Sequence, residues 1–274
     1  MQHVLASTKD SPDVARDGNA AMDVRLLGPV EVVVGERVLA LGGRKQRALL
    51  ALLALEPGHV ISVDVLADEL WNGDPPPGAT TTLRSYASRL RRALGPDAVV
   101  ARGHGYALET APERFDVYRF ERILRQGREA LGRGAAGLAA DHLRAALALW
   151  RGPALGDVAD SGRLALEARR LDELRLVCLE ERIEADLTLG HHVTLVPELE
   201  VLVEQEPFRE RLWRQLVLAL YRSDRQAEAL AAYRRARDVL AEEHGLAPSE
   251  ELAQLEHAIL RHEVKAVPRQ EERH

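Results

Sequence analysis

Between Ala79 and Leu94 apolar residues return at helical intervals. Leu83, Tyr86, Ala87, Leu90 and Leu94 fall on one side of a helix and predict an inward face. On the opposite side, at about 100° per residue, lie Thr81, Ser85, Ser88 and Arg92, flanked by Arg84, Arg89 and Arg91. Small hydroxyls admit a helix to a major groove, and arginines reach phosphates or guanine edges. After Gly95-Pro96 the period changes. Val99 to Leu108 alternates as two short strands around a basic, glycine-flexed tip that carries Arg102 and His104. A basic helix followed at once by a small basic hairpin outlines a winged helix-turn-helix.

The residues before this pair supply the rest of such a domain. Val24–Leu27, Val30–Val34 and Arg37–Leu41 read as short strands, punctuated by Gly28-Pro29 and Gly35-Glu36. Arg44–Glu56 reads as a helix with Ala48, Leu49, Leu52, Leu53 and Leu55 on its apolar face, ended by Pro57-Gly58. Val60-Ile61 is a brief strand, and Ser62 caps a helix over Val63–Trp71 with Asp64 in its first turn. Asn72-Gly73-Asp74 and the three prolines that follow cannot be helical and join this helix to the next. Arg44 and Lys45 are read as solubility or packing residues, Trp71 and Tyr106 as core or hinge aromatics.

Ala111-Pro112 marks a boundary, beyond which the pattern is almost wholly helical. Helices are expected over Asp116–Leu131, Ala135–Trp150, Leu164–Leu189, Thr194–Glu204, Arg209–Ser223, Gln226–His244 and Glu250–Arg261. Trp213, Leu216, Leu220, Ala229, Tyr233 and Ala236 stand at the offsets of a tetratricopeptide repeat, with Ala229 small enough for close helix approach. Earlier helix pairs keep the lengths and lose the register, so degenerate stacked hairpins are expected rather than a generic bundle. The expected fold class is therefore an α+β N-terminal winged helix-turn-helix followed by an all-α tetratricopeptide-like domain. Its parts are a disordered tail over 1–22, the winged helix over 23–110, the helical domain over 111–263 and a tail over 264–274.

Charge sharpens this division. The chain carries a net charge of −6, yet residues 80–104 hold five arginines against one acid, Asp97. Residues 111–274 hold 25 basic and 30 acidic side chains, so the excess acid lies away from the basic patch. Cys178 is the only cysteine, which excludes an intrachain disulfide and reads as a buried structural thiol. No apolar run approaches a membrane span and no signal segment is evident, so a cytoplasmic protein with no membrane partner is expected.

The runs RLLGPVEV, LGGRKQRALLALLAL, VISVDVLADELW, PPPGATTTLRSYASRLRRALG and GYAL resemble the N-terminal domain of the Streptomyces antibiotic regulatory protein family. FERILRQGREAL, LALWRGPAL, LDELRLVCLEERIEADLTLG, LYRSDRQAEALAAYRRARDVL and GLAPSEEL resemble the bacterial transcriptional activation domain of the same family. The resemblance covers some 240 residues with its motifs in order. It implies an OmpR-like winged helix and promoter-bound activation of a biosynthetic gene cluster through RNA polymerase. Two features depart from the family: Arg84 stands where glutamine is frequent, and about twenty residues precede the fold.

Enzyme signatures are missing. There is no G-x-x-x-x-G-K-[ST], G-x-S-x-G or H-E-x-x-H, and His191-His192 and His257 with His262 lack a third metal ligand. The expectation is a non-enzymatic activator with no cofactor, no metal and no catalytic residue. Its partners are double-stranded DNA at direct repeats, a second protomer on that DNA and RNA polymerase holoenzyme. Thr81, Arg84, Ser85, Ser88, Arg89, Arg91, Arg92, Arg102 and His104 are the candidate DNA contacts, against the plainer role of solvated helix or turn residues. Asn72 and Asp74 are the candidate polymerase-contact positions, the alternative being that the prolines only stop one helix and start another. A repressor of the same architecture, or a helical-repeat scaffold whose winged helix binds protein, are the competing functions.

Overall fold

A helix that is apolar on every side has no face to offer water, and from Ala48 to Ala54 α1 (Arg44–Leu55) is such a helix. It is buried throughout that stretch and packs against α2 (Val63–Trp71), α3 (Ala79–Leu94) and a strand of the C-terminal hairpin. The structure, a computed structural model, describes residues 22–160 and 162–264. The expected N-terminal tail lies outside the described residues except for Met22, and the C-terminal tail except for Val264.

The N-terminal unit also holds two small sheets. β1 (Met22–Arg25), β2 (Glu31–Val34) and β3 (Arg37–Val38) form an antiparallel meander with Val24 opposite Val32 and Val33 opposite Val38. β1 ends two residues earlier than the apolar run predicts, because the Leu26 N–H is bound at 2.7 Å by the Asp116 carboxylate and not by a strand. The second sheet has the order β4-β6-β5, from β4 (Ile61–Ser62), β5 (Val99–Arg102) and β6 (Gly105–Leu108). Gly105 is required where β6 crosses β4, since a Cβ there would run into the Ile61 carbonyl oxygen.

The chain divides after Asp116, five residues beyond the Ala111-Pro112 boundary read from the sequence. Phe115 is fully buried and bridges Val24 in parallel, and Asp116 closes the end of β1, so both belong to the N-terminal unit. Conversely, Leu27–Pro29 groups with the second unit. There the Arg151 N–H donates to the Leu27 carbonyl at 2.8 Å, and its guanidinium donates to the Pro29 carbonyl at 3.0 Å.

The second unit is built from α4 (Asp116–Gly132) after its first residue, α5 (Ala136–Leu147), α6 (Gly162–Thr188), α7 (His192–Gln205), α8 (Glu210–Arg222), α9 (Gln226–His244) and α10 (Glu250–Leu260). Its main pairings are α5 with α6, α7 with α8 and α8 with α9, and α10 lies on α8. Trp213, Leu216, Leu220, Ala229, Tyr233 and Ala236 all enter one buried cluster, as the repeat spacing requires. α5 stops at Leu147, short of the expected Trp150, whose ring instead meets Phe120 edge-on at 5.4 Å.

The 27-residue α6 buries charge as well as apolar side chains. Asp186 accepts from Arg182 at 3.2 Å, from Arg144 of α5, and lies 3.3 Å from the His191 ring; Arg182 also pairs with Glu198 of α7. Glu180 pairs with Arg209 at 2.8 Å, and Glu184 with Arg214 at 2.7 Å. These pairs tie α6 to α5, α7 and α8 at positions where helical periodicity alone would place solvent. Cys178 is fully buried beside the Leu143 carbonyl, and its thiol is pushed up to about 12, chiefly by burial and then by Glu181. A thiol so protonated has no nucleophilic role at neutral pH.

Candidate nucleic-acid interface

Gly78, with φ of 85°, starts α3, and Gly95, with φ of 104°, ends it by donating its N–H to the Arg91 carbonyl. Between them Ala79, Leu83, Ala87 and Leu90 are buried, while Tyr86 and Leu94 are only half-buried. The opposite face is open. Thr81, Arg84, Ser85, Ser88, Arg89 and Arg92 are all exposed, so six of the seven polar positions singled out on this helix face water together. Among the described residues no carboxylate is paired with Arg84, Arg89 or Arg92. Unpaired guanidiniums beside small hydroxyls give a surface that needs no desolvated ion pair to be broken before an anion arrives.

The seventh position departs from that face. Arg91 is half-buried; its Nε donates to the Val99 carbonyl at 2.5 Å and its guanidinium stands 5.6 Å from the centre of the Tyr106 ring. Helical spacing put Arg91 beside Arg92, and only the hairpin folding back against the helix turns it inward. The apolar-aromatic residue fifteen positions later carried no signal of that contact.

β5 and β6 form a two-residue hairpin with Arg102 opposite Gly105, and Gly103 takes the positive φ of 53° that such a turn demands. Arg102 is more than half exposed and meets Glu109 at 2.9 Å. An exposed pair of this kind is worth little, about 0–1 kcal/mol, so a phosphate can displace the carboxylate. His104, at the tip, is largely exposed with Asp64 3.8 Å away, and its carbonyl accepts the Val63 N–H at 3.0 Å. That backbone bond fixes the tip to the start of α2, where the Ser62 hydroxyl accepts the Val65 N–H at 3.3 Å. Neither Glu109 nor Asp64 was foreseen as a neighbour of the basic tip.

The connection from α2 to α3 is exposed from Asn72 through Gly78. Asn72 ends α2 in the left-handed conformation with φ of 55°, its N–H returning to the Asp68 carbonyl. Trp71 and Lys45 form the base of this connection. The Lys45 ammonium donates to the Leu70 carbonyl and stands 4.6 Å over the Trp71 ring, and burial with Arg44 nearby lowers its pKa. Lys45 therefore packs, as one of the two roles read from the sequence. Elsewhere, no three His, Cys, Asp or Glu side chains among the described residues come together as a metal site, and no described helix is long and apolar enough to cross a membrane.

Residues 37–108 match the family model described as "Transcriptional regulatory protein, C terminal", and residues 115–260 match "Bacterial transcriptional activator domain". The chain is 42% identical over 251 residues to "Regulatory protein DnrI" of Streptomyces peucetius, covering 88% of this chain and 92% of that protein. It is 41% identical to "Regulatory protein AfsR" of Streptomyces griseus, again over 88% of this chain but only 25% of the larger relative. Among solved structures it is similar to "Mycobacterium tuberculosis EmbR in complex with low affinity phosphopeptide", with a TM-score of 0.85 and 36% identity over 90% of this chain and 66% of that one.

Proposed function

The chain belongs to the Streptomyces antibiotic regulatory protein family, and on that membership we propose that it is a sequence-specific activator of a biosynthetic gene cluster. Its relatives are transcriptional regulators, not enzymes. The observation that carries the DNA-binding reading is the exposed α3 face, where Thr81, Ser85, Ser88 and Arg92 lie between Arg84 and Arg89. α3 enters the major groove, and Arg102 and His104 of the hairpin ride on the adjacent backbone. Protomers bind head to tail on direct repeats about 10–11 bp apart, which keeps both recognition helices on one side of the duplex. The helical unit serves assembly and regulation.

The test uses a duplex enriched from a random-sequence pool by the wild-type chain. The enriched sequence contains a direct repeat; an inverted palindrome contradicts the head-to-tail arrangement. Arg92→Ala lowers affinity for that duplex by about 1–3 kcal/mol and relaxes preference at one position. Arg102→Ala weakens all sequences alike and reduces the slope of log affinity against log salt by about 0.9. Unchanged affinity in both variants defeats the assignment.

The Asn72–Gly78 connection is the polymerase-contact surface in this proposal. It is exposed, and its three prolines limit the ordering entropy that a partner's binding would remove. Asn72 sits in a left-handed conformation that alanine adopts at a cost of about 1–2 kcal/mol, so the variant that preserves the fold is Asn72→Gly with Asp74→Ala. This double variant keeps duplex affinity and loses recruitment of polymerase holoenzyme in a transcription assay. Full transcription at saturating protein moves the contact elsewhere.

A further inference from the structure

We propose that Arg91 is a positioning residue that sets the hairpin relative to the recognition helix and makes no contact with DNA itself. The proposal rests on the DNA-binding reading above and changes the role of one residue within it. Three observations place Arg91 there. Its Nε–H is used by the Val99 carbonyl, at the first residue of β5, and Val99 is fully buried. Its guanidinium covers the ring of Tyr106, a β6 residue that is 7% exposed and lies opposite Ala101 in the hairpin register. Its own carbonyl accepts the Gly95 N–H that ends the helix. One side chain thus joins the last turn of α3 to both strands of the hairpin.

The geometry makes this consequential for recognition. Arg92, the next residue, faces outward on α3, while Arg102 lies three residues along β5 from the Val99 carbonyl that Arg91 holds. β5 and β6 are four residues each, so the pair has little intrinsic rigidity and takes its orientation from what it packs on. The hairpin is also tied to β4 and, through the His104 carbonyl, to α2. Arg91 is the described tie between it and the recognition helix that combines a hydrogen bond with a cation–ring contact. Losing it leaves the hairpin paired and changes where Arg102 stands.

A positioning role and a phosphate contact give different salt behaviour. Each phosphate neutralised contributes about 0.9 to the slope of log affinity against log salt, whereas a residue acting through the fold adds nothing beyond the contact it positions, here that of Arg102. With the pool-enriched duplex as probe, Arg91→Ala in the full chain is expected to weaken binding by roughly tenfold, the scale of one charge-assisted hydrogen bond, with a slope that falls by no more than the about 0.9 that Arg102 contributes. Arg91→Met keeps the stem packed on Tyr106 and guards against a folding defect; its loss of affinity and its change of slope are both smaller. Tyr106→Leu changes no charge and reproduces the loss. In the Arg91→Ala background Arg102→Ala costs less than in the wild type, because the hairpin arginine is already displaced.

In the wild-type chain without DNA, the Arg91 Nε–H resonance is protected from solvent exchange and shifted by the Tyr106 ring, while those of Arg89 and Arg92 are not. A slope that falls by about a further 0.9 when Arg91→Ala is added to Arg102→Ala makes Arg91 a phosphate contact and overturns the proposal. So do additive losses with Arg102→Ala, unchanged affinity, an unprotected Arg91 resonance, or failure of both Arg91 variants to fold. If the wild-type chain enriches no duplex at all, the DNA-binding reading fails instead, and the resonance measurement still decides where Arg91 is held.

Discussion

Trp213→Ala is expected to lower the stability of the helical unit by about 3–5 kcal/mol, the range for truncating a large buried aromatic. Trp213 is 1% exposed, packs in the cluster that holds Leu216, Ala229 and Tyr233, and donates its indole N–H to the Pro207 carbonyl at 2.8 Å. Arg235 of α9 lies 5.3 Å over the ring. The variant loses this contact too and leaves the Pro207 carbonyl without its donor. Since domains are stable by only about 5–15 kcal/mol, the loss brings the helical unit close to unfolding at ordinary temperature. Thermal melting followed by far-ultraviolet ellipticity should show a fall of roughly 10 °C or more. A variant that melts with the wild type would mean that Trp213 is not a core residue and that the repeat register is wrong. Trp213→Phe keeps most of the apolar volume and should lose much less.

The second large effect lies in a charge. Asp186→Ala removes a carboxylate, 4% exposed, that serves Arg182 and Arg144 and faces His191. Breaking a buried pair by deleting one partner typically costs about 3–5 kcal/mol, because the other charge stays behind. Here the lower end applies. Arg182, at 10% exposure, keeps Glu198, and Arg144 is half exposed and can turn to water or to Asp141. Asp186→Asn retains an oxygen that accepts from Arg182 and should cost less than alanine does. Urea titration of the two variants checks the order. Equal losses would show that the charge, which both variants remove, and not the space or the retained oxygen, decides the effect.

The helices were legible because each repeats an apolar position at a helical interval between strong breakers. Val63–Trp71, Ala79–Leu94 and Gln226–His244 begin and end where Ser62, Gly78, Gly95 and Gly245 mark them. Most of the candidate interface was legible for the same reason. The hydroxyl and arginine positions opposite Leu83, Ala87 and Leu90 are exposed together because an α-helix fixes the angle between its faces.

Positions that depend on a second element were not legible. β1 stops at Arg25 because Asp116, ninety residues away, takes the next backbone N–H. α6 holds Glu180, Arg182 and Asp186 in its interior because Arg144 of α5, Glu198 of α7 and Arg209 at the start of α8 arrive to pair with them, so a polar pattern that reads as surface is core. Arg91 has the local signature of its neighbour Arg92, yet it turns inward to Val99 and Tyr106.

The sequence by itself determined the order of elements, the two-part organisation and the face that α3 presents, since these follow from backbone periodicity and local capping, which are properties of neighbouring residues. Only the tertiary structure decided which charged side chains are held inside the fold and which are left exposed. That choice depends on burial and on counter-charges brought in from distant segments, and no spacing within one segment encodes the distance to another.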